Sequence, residues 1–354
     1  MFDFSKQIDA FFNDRVRLSD EFKQKLLDHR QANRDRIISR LPKEIHDIRV
    51  SDYSFKPQGS MAMKTIIQTR FPEEEYDIDD GLCLKKEDLK DTYNSDLTVF
   101  KVKSIIQEIL KDERFTKQPE IHKNCVRVFY ANSDEEKHHV DFPIYRIYFN
   151  SEQQEIRELA SEADWILSNP TQVNSWFETE IKSRNIELDG KGTQLRILIQ
   201  LLKRFCRSRR EWDMPNGMKL TMLVAECQND CYDRLDDAFR KLLKEIKVRL
   251  EKSKNIQNMA DPTKPCLTTT NNDLKVCNLL NQLIIALSKM EKLDDNDCKI
   301  EDAIGVWDWI FKSDGFFEDI SKSRNSSNGK FESINFANNE PNNAVDLNGG
   351  GRYG

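Results

Sequence analysis

The chain has 354 residues, of which 38% are hydrophobic and 33% charged, with 20 Phe, 5 Trp and a net charge of −6. That allows one large or two moderate domains with a substantial core, and it argues against a protein that lives by wrapping nucleic acid. No run approaches the roughly 18 apolar residues of a membrane span, Met1-Phe2-Asp3-Phe4-Ser5-Lys6 lacks a signal-peptide pattern, and the 8 scattered cysteines read as reduced thiols, so a cytoplasmic protein is expected.

Residues 4 to 41 predict two helical segments, with Ser19-Asp20-Glu21 as a start signal and Pro42 as a stop. Residues 50 to 55 read as extended. Gln58-Gly59-Ser60 follows as a turn, and residues 61 to 69 as a short helix carrying Lys64. Residues 71 to 75 are a loop, and 76 to 84 a strand. Residues 98 to 112 predict an amphipathic helix. The runs 125–130 and 139–148 are extended and separated by a polar turn, which reads as a hairpin. Pro143 cannot donate to a ladder, so it favours an edge or a bulge.

From about residue 150 the pattern changes to helices: 170–184, 193–210, 219–231, 236–250, 273–290 and 300–311. Cys227 and Cys231 lie a helical turn apart, but no second pair follows at zinc-ribbon spacing. Trp307 and Trp309 read as packing residues. After about residue 321 the chain turns to Ser, Asn and Gly, and such a segment buries too little apolar surface to offset its ordering entropy.

Strand alternation puts Asp77 and Asp79 on one face and Tyr76, Ile78 and Leu82 on the other. Two carboxylates side by side repel, and a divalent cation is the commonest reason for such a pair. Hard oxygen ligands suit Mg²⁺ shared with substrate phosphates. The turn at Gly59-Ser60 offers backbone N–H groups to phosphate; Ser60 capping the following helix is the plainer reading. Asp141, on a second strand, supplies a third carboxylate. Three carboxylates can hold two ions about 4 Å apart for in-line phosphoryl or nucleotidyl transfer. Asp80, on the opposite face, reads as a turn residue, His138 and His139 as polar strand-end residues, and Lys203 among Arg204, Arg207, Arg209 and Arg210 as part of a solvated basic helix end.

Gln58-Gly59-Ser60, Asp77-Ile78-Asp79-Asp80-Gly81 and His138-His139-Val140-Asp141-Phe142-Pro143 resemble the polymerase-β-like nucleotidyltransferases. With Asn169-Pro170, Trp176-Phe177, Lys203-Arg204-Phe205-Cys206-Arg207 and Trp212-Asp213, the chain is most similar to the cyclic GMP-AMP synthase branch of the bacterial cGAS/DncV-like synthases. The resemblance covers residues 45 to 230 and, more loosely, the helices on either side. It implies that Asp77, Asp79 and Asp141 bind two Mg²⁺ ions, with Mn²⁺ as a substitute, and that Asp141 helps activate the attacking ribose hydroxyl. It implies nucleotide-binding roles for Gln58, Gly59, Ser60, Arg127, Lys203, Lys219 and Thr221. Lys219 stands where the family carries a serine.

The expected fold is α/β (α+β). Helices at 1–44 brace both lobes. A polymerase-β-like core with a small mixed sheet fills 45–150, a helical domain 151–320 packs so that a cleft forms, and a disordered tail runs over 321–354. The implied function is template-independent synthesis of a cyclic di- or trinucleotide from ATP and GTP, a signal read by a downstream effector in anti-phage defence. The alternatives are a non-cyclising nucleotidyltransferase and an inactive nucleotide-binding module. No membrane partner and no nucleic-acid activator are expected. The resemblance also implies that a ubiquitin-transfer-like partner conjugates the chain through Gly354 by an isopeptide bond.

Overall fold

The structure is a computed structural model describing residues 1–130, 137–169, 171–187, 193–228, 230–268, 270 and 272–326. In chain order its elements are α1 (Ser5–Phe11), α2 (Asp20–Glu44), β1 (Phe55–Gln58), α3 (Gly59–Ala62), β2 (Tyr76–Lys85), α4 (Val99–Leu110), β3 (Glu120–Ile121), β4 (Val126–Tyr130), β5 (His138–Phe142), β6 (Ile144–Phe149), β7 (Glu155–Ser161) and β8 (Asp164–Leu167). Helices then follow: α5 (Gln172–Glu187), α6 (Thr193–Cys206), α7 (Gly217–Cys227), α8 (Leu235–Lys252), α9 (Leu274–Met290), α10 (Ile300–Phe311) and α11 (Phe316–Ser326). Among the described residues, no helix is long and apolar enough to cross a membrane. The expected conjugation residue, Gly354, and the segment 327–354 lie outside the described residues.

The elements form two compact units. One contains residues 19–64 and 71–175; the other contains residues 1–18, 65–70 and the described chain from Trp176 onward. Thus α2 belongs with the sheet and α1 with the helices.

The sheet unit has strand order β3-β4-β5-β2-β6-β7-β8, with β1 added antiparallel to β2. The expected small sheet is therefore one of eight strands. β5 and β6 pair successively, both parallel, with the first and second halves of β2. Pro143 stands between them, and Leu82 N donates to its carbonyl at 2.8 Å. The proline that cannot donate thus occupies the break in the ladder. β4 and β5 form the expected antiparallel hairpin pairing.

The change to helices expected near residue 150 comes only after Leu167, because β7 and β8 continue the sheet. Asn150 Oδ1 accepts from Glu152 N and Gln154 N and folds the chain back. Arg146 then faces Glu158 across the ladder, with Nε donating to Oε2 at 2.5 Å. The abundance of Glu, Gln and Arg here conceals a strand in which Glu158 is paired across the sheet and Arg157 with Glu155 along it.

On the core face of β2, Asp80 is fully buried and accepts from Arg34 Nε and Nη2 of α2 at 2.6 Å each. Asp80 is an in-strand anchor for α2 and not a turn residue. Its neighbours on that face, Tyr76, Ile78 and Leu82, are buried as alternation requires. α2 itself passes through Pro42 to Glu44, and Ile45 N donates to Leu41 O immediately afterwards. A proline so near the C-terminus removes one hydrogen bond without ending the helix.

The helix expected over residues 61 to 69 is the single turn α3. Lys64 takes a left-handed φ of 57° and the β-branched run Thr65-Ile66-Ile67 leaves the helix, with Ile67 bridging Arg17. In the helical unit, α1 packs its aromatic side on α10: Phe11 lies 4.9 Å from Phe311, and Phe4 6.2 Å from Trp307, ring centre to ring centre. α11, unexpected from its polar sequence, is pinned by Phe316 and Phe317 against Phe11 at 5.5 and 5.1 Å.

Candidate active site

The acidic face of β2 is built by register. Gln58 of β1 pairs with Asp79 on one side, and Asp141 of β5 pairs with Asp79 on the other. Asp77 pairs with His139 in the same parallel ladder. Residues in register share a face, so Asp77, Asp79, His139 and Asp141 all project from one side of the sheet. Ligand atoms of Asp77, His139 and Asp141 lie within 4.8 Å of one another, a grouping of metal-ligand type among the described residues.

Asp79 is where the charge accumulates. Burial, then the neighbouring charges of Asp77 and Asp141, push its carboxyl from the usual range up to about 7. The protein answers this negative charge only in part. Arg127 of β4 donates through Nε and Nη2 to the two oxygens of Asp141 at 2.7 Å each. That bidentate pair holds the Arg127 guanidinium more firmly protonated than usual, against its partial burial. His139 places Nδ1 3.0 Å from Glu75 Oε2 and Nε2 3.0 Å from Asp77 Oδ1. Burial pulls the imidazole pKa down, but the Asp77 carboxylate beside it, with Asp141 behind, moves it above the ordinary value overall.

Gly59 closes the other side of Asp79. Its φ is +65°, and a Cβ there would stand 2.2 Å from Asp79 Oδ2. Both the left-handed backbone and the close approach require glycine. Gly81 is equally constrained in space: a Cβ would lie 2.1 Å from Gln58 Nε2. Gln58 Oε1 accepts from Tyr145 OH at 3.3 Å, while Nε2 is buried without a hydrogen-bond partner. Ser60 lies within α3, and no side chain caps that helix. The plainer capping role for Ser60 is therefore absent.

These observations fit a divalent metal. A half-buried carboxyl is raised by desolvation and by its like-charged neighbours, and an imidazole nitrogen is grouped with two of those carboxylates. Oxygen-rich donor sets of this kind suit Mg²⁺ or Mn²⁺.

Three expected site residues lie in the helical unit. Lys203 is buried on α6, not solvated, and donates to Thr65 O at 2.9 Å and Thr65 Oγ1 at 3.0 Å. Burial, with the nearby positive charge of Arg207, pushes its ammonium down to about 7. Lys219 Nζ pairs with Asp273 Oδ2 at 2.6 Å, and Asp273 also caps α9. Thr221 donates its hydroxyl to Gly217 O at 2.8 Å. Lys219 and Thr221 are thus tied to structural partners in this chain.

His139 is the residue that sequence reading passed over as a polar strand end. Its signal was its place two residues before Asp141 on the same face of a strand. That signal acquires meaning only with the β2–β5 register.

Residues 53–145 match the family model described as the nucleotidyltransferase domain of cyclic GMP-AMP synthase DncV-like proteins. Among solved structures, the chain is similar to the Vibrio cholerae DncV cyclic AMP-GMP synthase in complex with nonhydrolyzable GTP. The identity is 17%, the TM-score 0.66, and the match covers 88% of this chain and 96% of that one. A structure of the same enzyme with the linear intermediate 5′ pppA(3′,5′)pG matches at 16% identity and TM-score 0.65, over 88% and 95% of the two chains. The Bradyrhizobium diazoefficiens CD-NTase CdnG in complex with GTP matches at 15% identity and TM-score 0.63, over 91% and 99%. The chain is built on the DncV-like nucleotidyltransferase fold, and residues 53–145 carry the match to the DncV-like nucleotidyltransferase domain.

Proposed function

We propose that the protein joins nucleoside triphosphates without a template and closes the product into a ring. The product would be a cyclic di- or trinucleotide of the cyclic GMP-AMP type, made from ATP and GTP and acting as a signal to an effector in anti-phage defence. The observation that carries this reading is Asp79, whose carboxyl is pushed up to about 7 where it is crowded by Asp77, Asp141 and the Gly59 turn. The nucleotides bound to the DncV and CdnG structures support the substrate class.

Asp77, Asp79 and Asp141 would hold two Mg²⁺ ions, with Mn²⁺ as a substitute. Bound there, the metal supplies Lewis-acid activation of a ribose hydroxyl and neutralises the triphosphate. Gly59, lacking a side chain, leaves room for a phosphate to approach the backbone beside Asp79, and Ser60 offers a hydroxyl there. Gln58 Nε2 offers its unused N–H to a nucleotide. Asp141 takes part in removing the hydroxyl proton. Arg127, on its two oxygens, keeps that carboxylate oriented. A ribose O–P bond forms at the α-phosphate and the bond to pyrophosphate breaks; each further nucleotide repeats this, and the last such attack, within the linear product, closes the ring. The resemblance supports Lys203, on α6 of the helical unit, as a triphosphate contact.

Incubation with ATP, GTP and Mg²⁺, followed by mass spectrometry, tests this. A phosphatase-resistant cyclic product from the wild type, absent with Asp79→Asn, is expected. Linear, phosphatase-sensitive products would instead indicate a non-cyclising nucleotidyltransferase. The resemblance also supports Gly354 as a site of conjugation by a ubiquitin-transfer-like partner. Finding no adduct at Gly354 after incubation with such a partner and ATP would refute that part.

A further inference from the structure

The carboxylate face contains a ring nitrogen that stands against a carboxylate without a directed hydrogen bond. His139 is only 7% exposed. Its Nδ1 meets Glu75 Oε2 at 3.0 Å, which fixes the ring plane. Its Nε2 is buried and makes no hydrogen bond, although Asp77 Oδ1 is 3.0 Å away. The approach has hydrogen-bond length without hydrogen-bond direction. Two atoms bound at right angles to one ion, each at about 2.1 Å, stand about 3.0 Å apart. The Nε2 and Asp77 Oδ1 separation has that value, and an Asp141 oxygen completes a group within 4.8 Å. A carboxylate on the far nitrogen of a metal-binding imidazole is the usual orienting arrangement.

We propose that His139 is a nitrogen ligand of the metal site, oriented by Glu75, and that it shifts the site's preference from Mg²⁺ toward first-row transition ions such as Mn²⁺. Mg²⁺ is a hard ion that favours oxygen, whereas imidazole binds transition ions well. His139 and Asp141 lie two residues apart on β5, so one strand would present a nitrogen and an oxygen to the same ion, with Asp77 opposite on β2. The inference rests on the metal reading of the proposed function and adds a ligand to it.

The test uses the full chain loaded with Mn²⁺ and pulsed EPR, comparing unlabelled protein with protein carrying ¹⁵N-histidine. Expected is a nitrogen modulation that changes isotope with the label and disappears in His139→Asn. The ratio of Mn²⁺ to Mg²⁺ affinity should fall about tenfold in that variant and by less in Glu75→Ala. Glu75 is exposed, so its variant separates ring orientation from folding. The labelled wild type needs no variant at all. Mn²⁺ bound in a manner abolished by Asp77→Asn, yet showing no histidine nitrogen, would overturn this inference alone. So would a modulation that survives in His139→Asn. Absence of any Mn²⁺ binding would overturn the metal reading together with it.

Discussion

Asp79 and Asp80 are consecutive residues of one strand, and they live in opposite electrostatic worlds. Asp80 points into the core, where Arg34 meets both its oxygens at 2.6 Å. Asp79 points to the other face, where burial and two more carboxylates push its pKa up to about 7. The first is a closed ion pair that ties α2 to the sheet. The second sits in a cluster of negative charge that the chain offsets only in part, so Asp79 keeps its proton up to near-neutral pH. Burial alone therefore does not separate structural from chemical carboxylates; the completeness of the counter-charge does.

The largest test of this contrast is Asp79→Asn. It should lower product formation by about 10³–10⁵-fold, on the scale of losing a metal clamp, while leaving the fold intact. In metal-free protein the same change should raise stability. A raised carboxyl pKa means that the folded state holds the proton more tightly than the unfolded one. The favourable contribution is complete below about pH 4 and is lost as pH rises to about 7. Thermal unfolding at pH 8 should therefore show Asp79→Asn above the wild type, and the gap should close by pH 4.

Asp80→Ala should do the reverse. It leaves Arg34 buried without its bidentate partner, so unfolding in denaturant should show a loss of about 3–5 kcal/mol. If Asp80→Ala proves stable, the closed-pair half of the comparison fails.

Gly59→Ala comes next. A Cβ 2.2 Å from Asp79 Oδ2, on a left-handed backbone, must displace the turn or the carboxylate. Activity should fall about 10²-fold, as misplacement by about 1 Å does, with a stability loss of about 1–2 kcal/mol.

The smallest effect concerns Lys203 in the helical unit, whose ammonium is pushed from 10.5 down to about 7. The unfolded state binds this proton more tightly, so the lysine's penalty is full below about pH 7 and fades as pH rises toward 10.5. In Lys203→Met the rise in stability between those pH values should flatten, as read from unfolding midpoints.

The acidic face was legible because alternation is local: Asp77, Asp79 and Asp141 can be assigned to faces from their own strands. The partners of those residues were not, because they arise from pairings distant in sequence. His139 joins Asp77 through the β2–β5 register, Arg127 closes on Asp141 across the β4–β5 ladder, and Asp80 finds Arg34 on α2. A basic helix end around Lys203 looks solvated until Thr65 is seen beneath it. β7 was hidden for the same reason, since its Glu158 is balanced by Arg146 on β6.

The most direct test is the stoichiometry of pyrophosphate release. Wild-type protein given ATP, GTP and Mg²⁺ should release one pyrophosphate for every nucleotide in a phosphatase-resistant product, and Asp79→Asn should release none above background. Wild-type protein that releases no pyrophosphate, or an Asp79→Asn variant that releases it at the wild-type rate, would contradict the assignment of this face as a nucleotidyl-transfer site.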